Sequence, residues 1–334
     1  MLLRVKKKMK ALALLSGGLD STLAVRIIME QGASVEAVNF ITPFCQCRKG
    51  GCGASEAAKA FNIPLKVFTV GNEYLRVVRN PRFGYGKNLN PCVDCRIFML
   101  RKAKKYAEAI GAAFIFTGEV LGQRPMSQHR QALDLIEKEA GLKGKIVRPL
   151  SAHLLAKTDA EKEGLVDRKK LLDVSGRSRK RQIELARQFN IVNYPCPSGG
   201  CLLTDRNFAK KLRDLFANKK RVSVKEVQFL KVGRHFRFGK NKIIVGRNQS
   251  ENQILLRTKQ ASDYFFEVPD CGSPISILQG LKTKAAVKKA ACLTAYYSDN
   301  QSASVLVNFG KSTLDRHIKV SALTPTEVEN LRIS

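Results

Sequence analysis

Residues 12–25 read LALLSGGLDSTLAV. An apolar run stops at Ser16-Gly17-Gly18-Leu19-Asp20-Ser21-Thr22, and a second apolar stretch begins at once. A buried strand that turns through two glycines into a helix commits the chain to a β-α unit. Such a turn points backbone N–H groups at an anion, and the helix N-terminus adds its positive dipole end. The hydroxyls of Ser16, Ser21 and Thr22 can donate to phosphate oxygens, and Asp20 can hold a metal or orient the loop. The stretch therefore suits a phosphate chain. It has neither the G-x-x-x-x-G-K-[ST] nor the G-x-G-x-x-G spacing.

The β-α rhythm continues for about two hundred residues. Strands are predicted at 11–16, 34–40, 64–70, 112–118 and 146–150, and helices at 20–31, 54–61, 96–111 and 180–189. Repeated β-α units predict an α/β domain, a doubly wound parallel sheet with helices on both faces. Function in such a sheet belongs at the carboxyl ends of the strands. After Asp205 the texture changes to a basic helix followed by short β-rich pieces such as KIIVGR, QILLRT and ASVLVNF. GKN, GRNQSEN and PDCGSP read as turns between them. The expected organisation is a domain over residues 1–205 and a smaller α+β domain over 206–334, with a polar, partly loose tail from about 310.

Fifty-nine Lys and Arg face 28 Asp and Glu, a net charge of +31. Spread along the chain rather than along one amphipathic helix, this excess points to nucleic acid and away from a membrane surface. No apolar run is long enough to span a bilayer, and the basic start lacks the apolar centre of a signal peptide, so a cytoplasmic protein is expected. Nine cysteines in a reducing compartment suggest metal, cluster or catalytic thiols. Cys92 and Cys95 in NPCVDCRIF open a predicted helix, where the dipole is expected to favour thiolates. Cys201, with Cys196, lies in YPCPSGGCLLTD. Cys45, Cys47 and Cys52 follow the second strand in a spacing that is no standard zinc signature, which leaves a second sulfur-handling or metal site and plain thiols both open. Cys271 and Cys292 read as structural. His129 and His153 read as ordinary hydrogen-bonded residues, and GRSRKRQ (176–182) as an RNA-backbone contact.

Ser-Gly-Gly-x-Asp-Ser-Thr after the first strand resembles the PP-loop of the ATP pyrophosphatase superfamily, with its adenine nucleotide alpha hydrolase-like fold. The resemblance implies cleavage of ATP between the α and β phosphates and adenylation of a carbonyl oxygen, with Ser16, Gly17, Gly18, Asp20, Ser21 and Thr22 on the nucleotide and Mg2+ screening its phosphates. NPCVDC and SGGCLLTD resemble the two cysteine segments of tRNA 2-thiouridylases, which implies active cysteines at Cys95 and Cys201 beside Asp20. TGEVLGQRPMSQ (117–128) followed by VRPL (147–150) resembles tRNA 4-thiouridine synthases and makes Gly118, Glu119 and Gln123 nucleotide-site candidates. The trio Cys92, Cys95 and Cys201 resembles the ligand set of cluster-dependent tRNA thiolases, which implies a [4Fe-4S] cluster; a persulfide relay and a structural zinc are the alternatives. In the second domain, FLKVGRHFRFGKNKIIVGRNQSEN mixes glycine turns, cations and aromatics, and is similar to the RNA-binding module of NFACT ribosome-rescue proteins.

Together these resemblances imply a tRNA sulfurtransferase that adenylates a uracil carbonyl and replaces its oxygen by sulfur. They favour 4-thiouridine at position eight and a sulfur donor that is either sulfide or a cysteine desulfurase persulfide. A nitrogen-transferring PP-loop ligase or amidotransferase, and a non-catalytic RNA-binding protein with a structural metal, remain the rival readings.

Overall fold

The computed structural model describes residues 9–45, 53–192, 194 and 201–333. Two compact units divide between Thr204 and Asp205. In the first, the order is β1 (Lys10–Leu14), α1 (Leu19–Met29), β2 (Ser34–Ile41), α2 (Gly53–Ala60), β3 (Leu65–Thr69), α3 (Asn72–Arg79), α4 (Cys92–Ala109), β4 (Phe114–Thr117), α5 (Arg130–Ala140), β5 (Ile146–Val147), α6 (Asp159–Lys162) and α7 (Lys180–Gln188). The five strands form a parallel sheet in the order β3-β2-β1-β4-β5.

β1 is central and, after Lys10, apolar, as a strand buried on both faces must be. Ala11, Ala13 and Leu15 pack with Leu23, Ile27 and Ile28 of α1 on one face, while Leu12 packs with Val93, Ile97 and Leu100 of α4 and Ile136 of α5 on the other. The chain leaves β1 for β2 on one side and returns to β4 on the other. The loops after β1 and β4 therefore meet at the switch point, where a doubly wound sheet opens a crevice.

The second unit runs α8 (Arg206–Asn218), α9 (Val224–Phe229), β6 (Arg234–Phe238), β7 (Asn241–Val245), α10 (Gln249–Thr258), β8 (Tyr264–Glu267), β9 (Ser276–Gln279), α11 (Lys284–Tyr296), β10 (Val305–Gly310), β11 (Arg316–Val320) and α12 (Pro325–Leu331). Its strands form one antiparallel sheet, ordered β11-β10-β8-β9-β7-β6. Period-2 alternation sends Ile243, Phe266 and Leu278 towards α11, and Ile244, Phe265 and Ile277 into a second cluster with Phe229 and Leu255.

Two expectations fail here. QILLRT is not a strand, and GRNQSEN is not only a turn. Asn248 caps α10 by accepting the Glu251 N–H at 3.0 Å, and the apolar residues that follow lie on a helix whose buried anchor is Leu255. The tail past 310 is ordered as well. β11 pairs with β10, and Thr324-Pro325-x-Glu327 forms a capping box that starts α12, whose Val328 is buried. Among the described residues no helix is long and apolar enough to cross a membrane.

Lys242 of β7 is buried beside Asp214, with the ammonium 3.9 Å from the carboxylate. Burial depresses it to about 7, against the pull of Asp214 and with the push of Arg237 and Lys211. An unfolded lysine keeps its proton to about pH 10.4. Between those limits the unfolded chain binds the extra proton, so stability rises with pH. Lys211, lowered to about 8 mainly by burial, acts in the same direction. Urea unfolding should show this unit more stable at pH 9.5 than at pH 7, with the slope reduced in Lys242→Met.

Candidate active site

The loop between β1 and α1 is clamped by close backbone approaches on two sides. Gly17 has φ +77°, and a Cβ there would lie 2.0 Å from the carbonyl carbon of Gly53 at the start of α2. At Gly118, just after β4, a Cβ would lie 2.4 Å from the Ser21 nitrogen and 2.5 Å from the Asp20 carbonyl. Both positions admit only glycine. Gly18 is the N-cap of α1 and no side chain of the described residues caps it, so the first-turn N–H groups remain for an outside acceptor.

The three loop hydroxyls divide their work. Ser21 and Thr22 are buried and donate to the Gly18 carbonyl at 2.9 and 3.1 Å, while Ser16 is exposed. Ser21 and Thr22 thus hold the loop in shape, and the exposed Ser16 joins them, its Oγ 3.1 Å from that of Ser21 and accepting the Gly18 N–H at 3.3 Å. Asp20 accepts hydrogen bonds on Oδ2 from Gln123 at 3.1 Å and Arg179 at 3.2 Å. Its Oδ1 is buried without a protein partner. Gln123 is therefore brought to the loop, as is Arg179, which the sequence placed on RNA with the rest of the 176–182 cluster. The nearby Arg181 pairs instead with Asp173.

Glu119 plays a different part from the one its motif suggests. It is 2% exposed, with carboxylate oxygens 3.2 Å from Arg96 and 3.1 Å from Arg148, and Arg148 also pairs with Glu137. Burial pushes the Glu119 carboxyl up, but Arg96 and Arg148 outweigh it, and the group stays ionised below the usual carboxylate range. Its carboxylate is thus held between Arg96 and Arg148. Breaking a buried pair leaves an uncompensated charge, so Arg148→Met should cost about 3–5 kcal/mol in denaturant unfolding.

The thiols gather at the same carboxyl edge. Cys92 and Cys95 lie in the first turn of α4, one helical turn apart. The Cys201 segment is stitched in by backbone bonds: Leu202 N–H to Phe44 O at 3.1 Å, and Leu89 N–H to Leu203 O at 3.1 Å, with Asn88 Nδ2 on Thr204 O at 2.7 Å. One end of this stitch precedes Cys45 and the other precedes Cys92. Tyr74, a residue of α3 that no motif marks, donates its hydroxyl to Cys95 Sγ at 3.0 Å. It is 1% exposed and packs beside Phe44 and Phe98. Burial, then the neighbouring Cys95, Cys201 and Cys45, hold the Tyr74 hydroxyl protonated, so it can only donate to a thiolate.

The helix-dipole expectation for the thiols is overturned. Burial pushes Cys92 and Cys95 up despite Arg96, and despite Arg124 at Cys92 and the Tyr74 bond at Cys95. Cys201 is pushed up to about 12 by burial and then by Cys95, Cys45 and Cys92. Desolvation outweighs the dipole here. Among the described residues no three cysteine, histidine or acidic side chains converge closely enough to hold a metal ion. By donor type the three sulfurs fit a thiolate-bound group, since cysteine thiolates are the usual ligands of iron–sulfur clusters.

Desolvation and Arg96 lower the Arg124 guanidinium, and Cys92, Asp20 and Glu119 pull it back. Cys47, Cys52 and Cys196 lie outside the described residues. Cys292 is buried in the core of the second unit, and Cys271 packs against it. His129 caps α5 through Nδ1, and His153 Nε2 bonds the Arg168 carbonyl.

Residues 7–162 match the family model of the thiamine biosynthesis protein (ThiI), and residues 233–332 match the NFACT protein RNA binding domain. A probable tRNA sulfurtransferase of Ureaplasma parvum serovar 3 is 34% identical over 117 residues, 34% of this chain and 30% of that protein. A tRNA-specific 2-thiouridylase MnmA of Leptospira biflexa is 32% identical over 130 residues, 34% of each chain. The chain thus spans about a third of the length of the curated relatives it matches. A solved 4-thiouridine synthetase–RNA complex with bound ATP aligns at TM-score 0.35 and 23% identity, covering 67% of this chain and 52% of that one. Two separate stretches, 7–162 and 233–332, are thus similar to two different family models, that of ThiI and that of the NFACT RNA binding domain.

Proposed function

We propose that this protein is an ATP-dependent tRNA sulfurtransferase that converts a uridine to 4-thiouridine. The observation that carries the reading is the carboxyl edge of one parallel sheet, which bears both the glycine loop after β1 and the half-buried thiols Cys92, Cys95 and Cys201. ATP lies with its phosphates on the first-turn N–H groups of α1 and on Ser16. The orphaned Oδ1 of Asp20 would hold Mg2+, which screens the phosphate charge. Arg179 and Gln123 keep Asp20 turned for that role.

The uracil O4 attacks the α-phosphorus, the α–β bond breaks and pyrophosphate leaves. The oxygen, a poor leaving group, becomes part of an adenylate. A sulfur nucleophile from the thiol side then adds at C4, and AMP departs with the former O4. Fixed cations such as Arg124 stabilise the charge that grows on the departing phosphate. Cys92, Cys95 and Cys201 would hold a [4Fe-4S] cluster, and such a group supplies a Lewis-acidic iron for sulfur. Tyr74 orients the Cys95 sulfur. The basic 206–334 unit binds the tRNA, in keeping with its match to an RNA-binding domain. Free thiols suit a reducing cytoplasm. The 117–128 segment favours C4; the thiouridylase relative leaves C2 as the competing site.

The test is product analysis with ATP, sulfide and unmodified tRNA. AMP and pyrophosphate in tRNA-dependent amounts are expected. ADP and phosphate would overturn the adenylation reading.

A further inference from the structure

The loop NPRFGYGKNLNP (80–91) runs from α3 into the cysteine turn of α4. It is pinned along its length. Asp94 of α4 accepts the Arg82 and Phe83 N–H groups at 2.9 and 3.0 Å. The Gly86 N–H bonds the Asn90 carbonyl at 2.9 Å, and the Gly86 backbone passes so near Met126 that a Cβ there would lie 2.8 Å from its Cγ. Met126 belongs to the 117–128 segment, whose Gln123 reaches Asp20. Asn88 and Leu89 fasten the far end to Thr204 and Leu203. The loop therefore borders both the glycine-loop side and the thiol side of the candidate site. Tyr85 stands in its middle. The Tyr85 hydroxyl lies 2.7 Å from the Val78 carbonyl and 3.0 Å from that of Arg79, two carbonyls left open where α3 ends. The polar end is satisfied inside the protein, yet the residue is 37% exposed. It is the one aromatic among the exposed large apolar side chains of the described residues. A single exposed apolar residue is ordinary on a mobile surface. A ring fixed by its own hydroxyl, on a pinned loop beside a site, is preorganised to receive a flat ligand.

We propose that Tyr85 is the stacking platform for the uracil that this protein modifies. The proposal rests on the sulfurtransferase reading. An enzyme that does chemistry on a base takes it out of the stack, which costs unstacking energy. An aromatic face offsets part of that cost, and it does so for any base because every base has a π-face. Tyr85 gives up little freedom when a base arrives, since its hydroxyl already holds the ring. Lys87, two residues on and exposed, offers a cation to the flanking phosphates. Stacking engages the face of the uracil and leaves its edge, with the carbonyl oxygens, open to the nucleotide and the sulfur.

The chain has no tryptophan, so Tyr85→Trp in the full chain reports from this position alone. Two probes of equal charge are titrated: a short oligouridylate and its dihydrouridine counterpart, whose saturated, puckered ring cannot stack. Quenching of the tryptophan emission by the first and not by the second is expected. Equal quenching by both, or quenching by neither, overturns the proposal. In filter binding of unmodified tRNA, Tyr85→Leu should lose about tenfold in affinity, and Tyr85→Phe, which keeps the ring, should stay within about threefold of wild type. Unchanged circular dichroism reports that the variants fold. Wild-type affinity in Tyr85→Leu also overturns the proposal. None of these readouts involves ATP or sulfur, so the two failures are told apart: a failed sulfurtransferase reading shows as selective quenching without any thionucleoside, and a failed platform as thiolation without selective quenching.

Discussion

Gly118→Val should weaken ATP binding by about a hundredfold, equivalent to about 3 kcal/mol, while the rest of the fold survives. A Cβ at this position would lie 2.4 Å from the Ser21 nitrogen, and backbone cannot yield as a flexible side chain would. The damage falls on the first turn of α1, whose N–H groups would receive the phosphates under the proposed function. Gly17→Val should act the same way through Gly53, with the added cost of φ +77° for a β-branched residue. Isothermal titration with ATP, alongside circular dichroism, separates a lost site from a lost fold. Near-native affinity in both variants would mean that the loop does not hold the nucleotide.

Cys201→Ala should lower tRNA thiolation by about a thousandfold or more, the scale of losing a member of a unit that acts together. ATP affinity should hardly change, because the Cys201 segment is bonded to the Phe44 and Leu89 loops. Full ATP-dependent tRNA modification in Cys201→Ala would instead favour nitrogen transfer, which has no use for this thiol.

The parallel sheet was legible because its physics is local. Apolar strands such as KALAL need little context, and a double glycine between strand and helix forces a tight turn with its N–H groups left open. The motifs marked the candidate site as far as Asp20, Gly118 and the cysteine segments. What stayed hidden depends on tertiary contact. Tyr74 is an aromatic on a short helix until the fold sets its hydroxyl on Cys95. Arg179 is one of several adjacent cations, and only its neighbour across the crevice gives it a different task. Glu119 lies in the expected motif, yet two arginines claim its carboxylate. The thiols were read from helix position alone, and burial reversed the direction. In the second unit, the β-like letters of QILLRT outweighed the Asn248 cap that precedes them.

The most direct measurement is nucleoside mass spectrometry of unmodified tRNA after anaerobic incubation with the purified protein and sulfide, with and without ATP. The account predicts 4-thiouridine that appears only with ATP and is absent with Cys201→Ala. AMP release with no thionucleoside, or thiolation that proceeds without ATP, would contradict it.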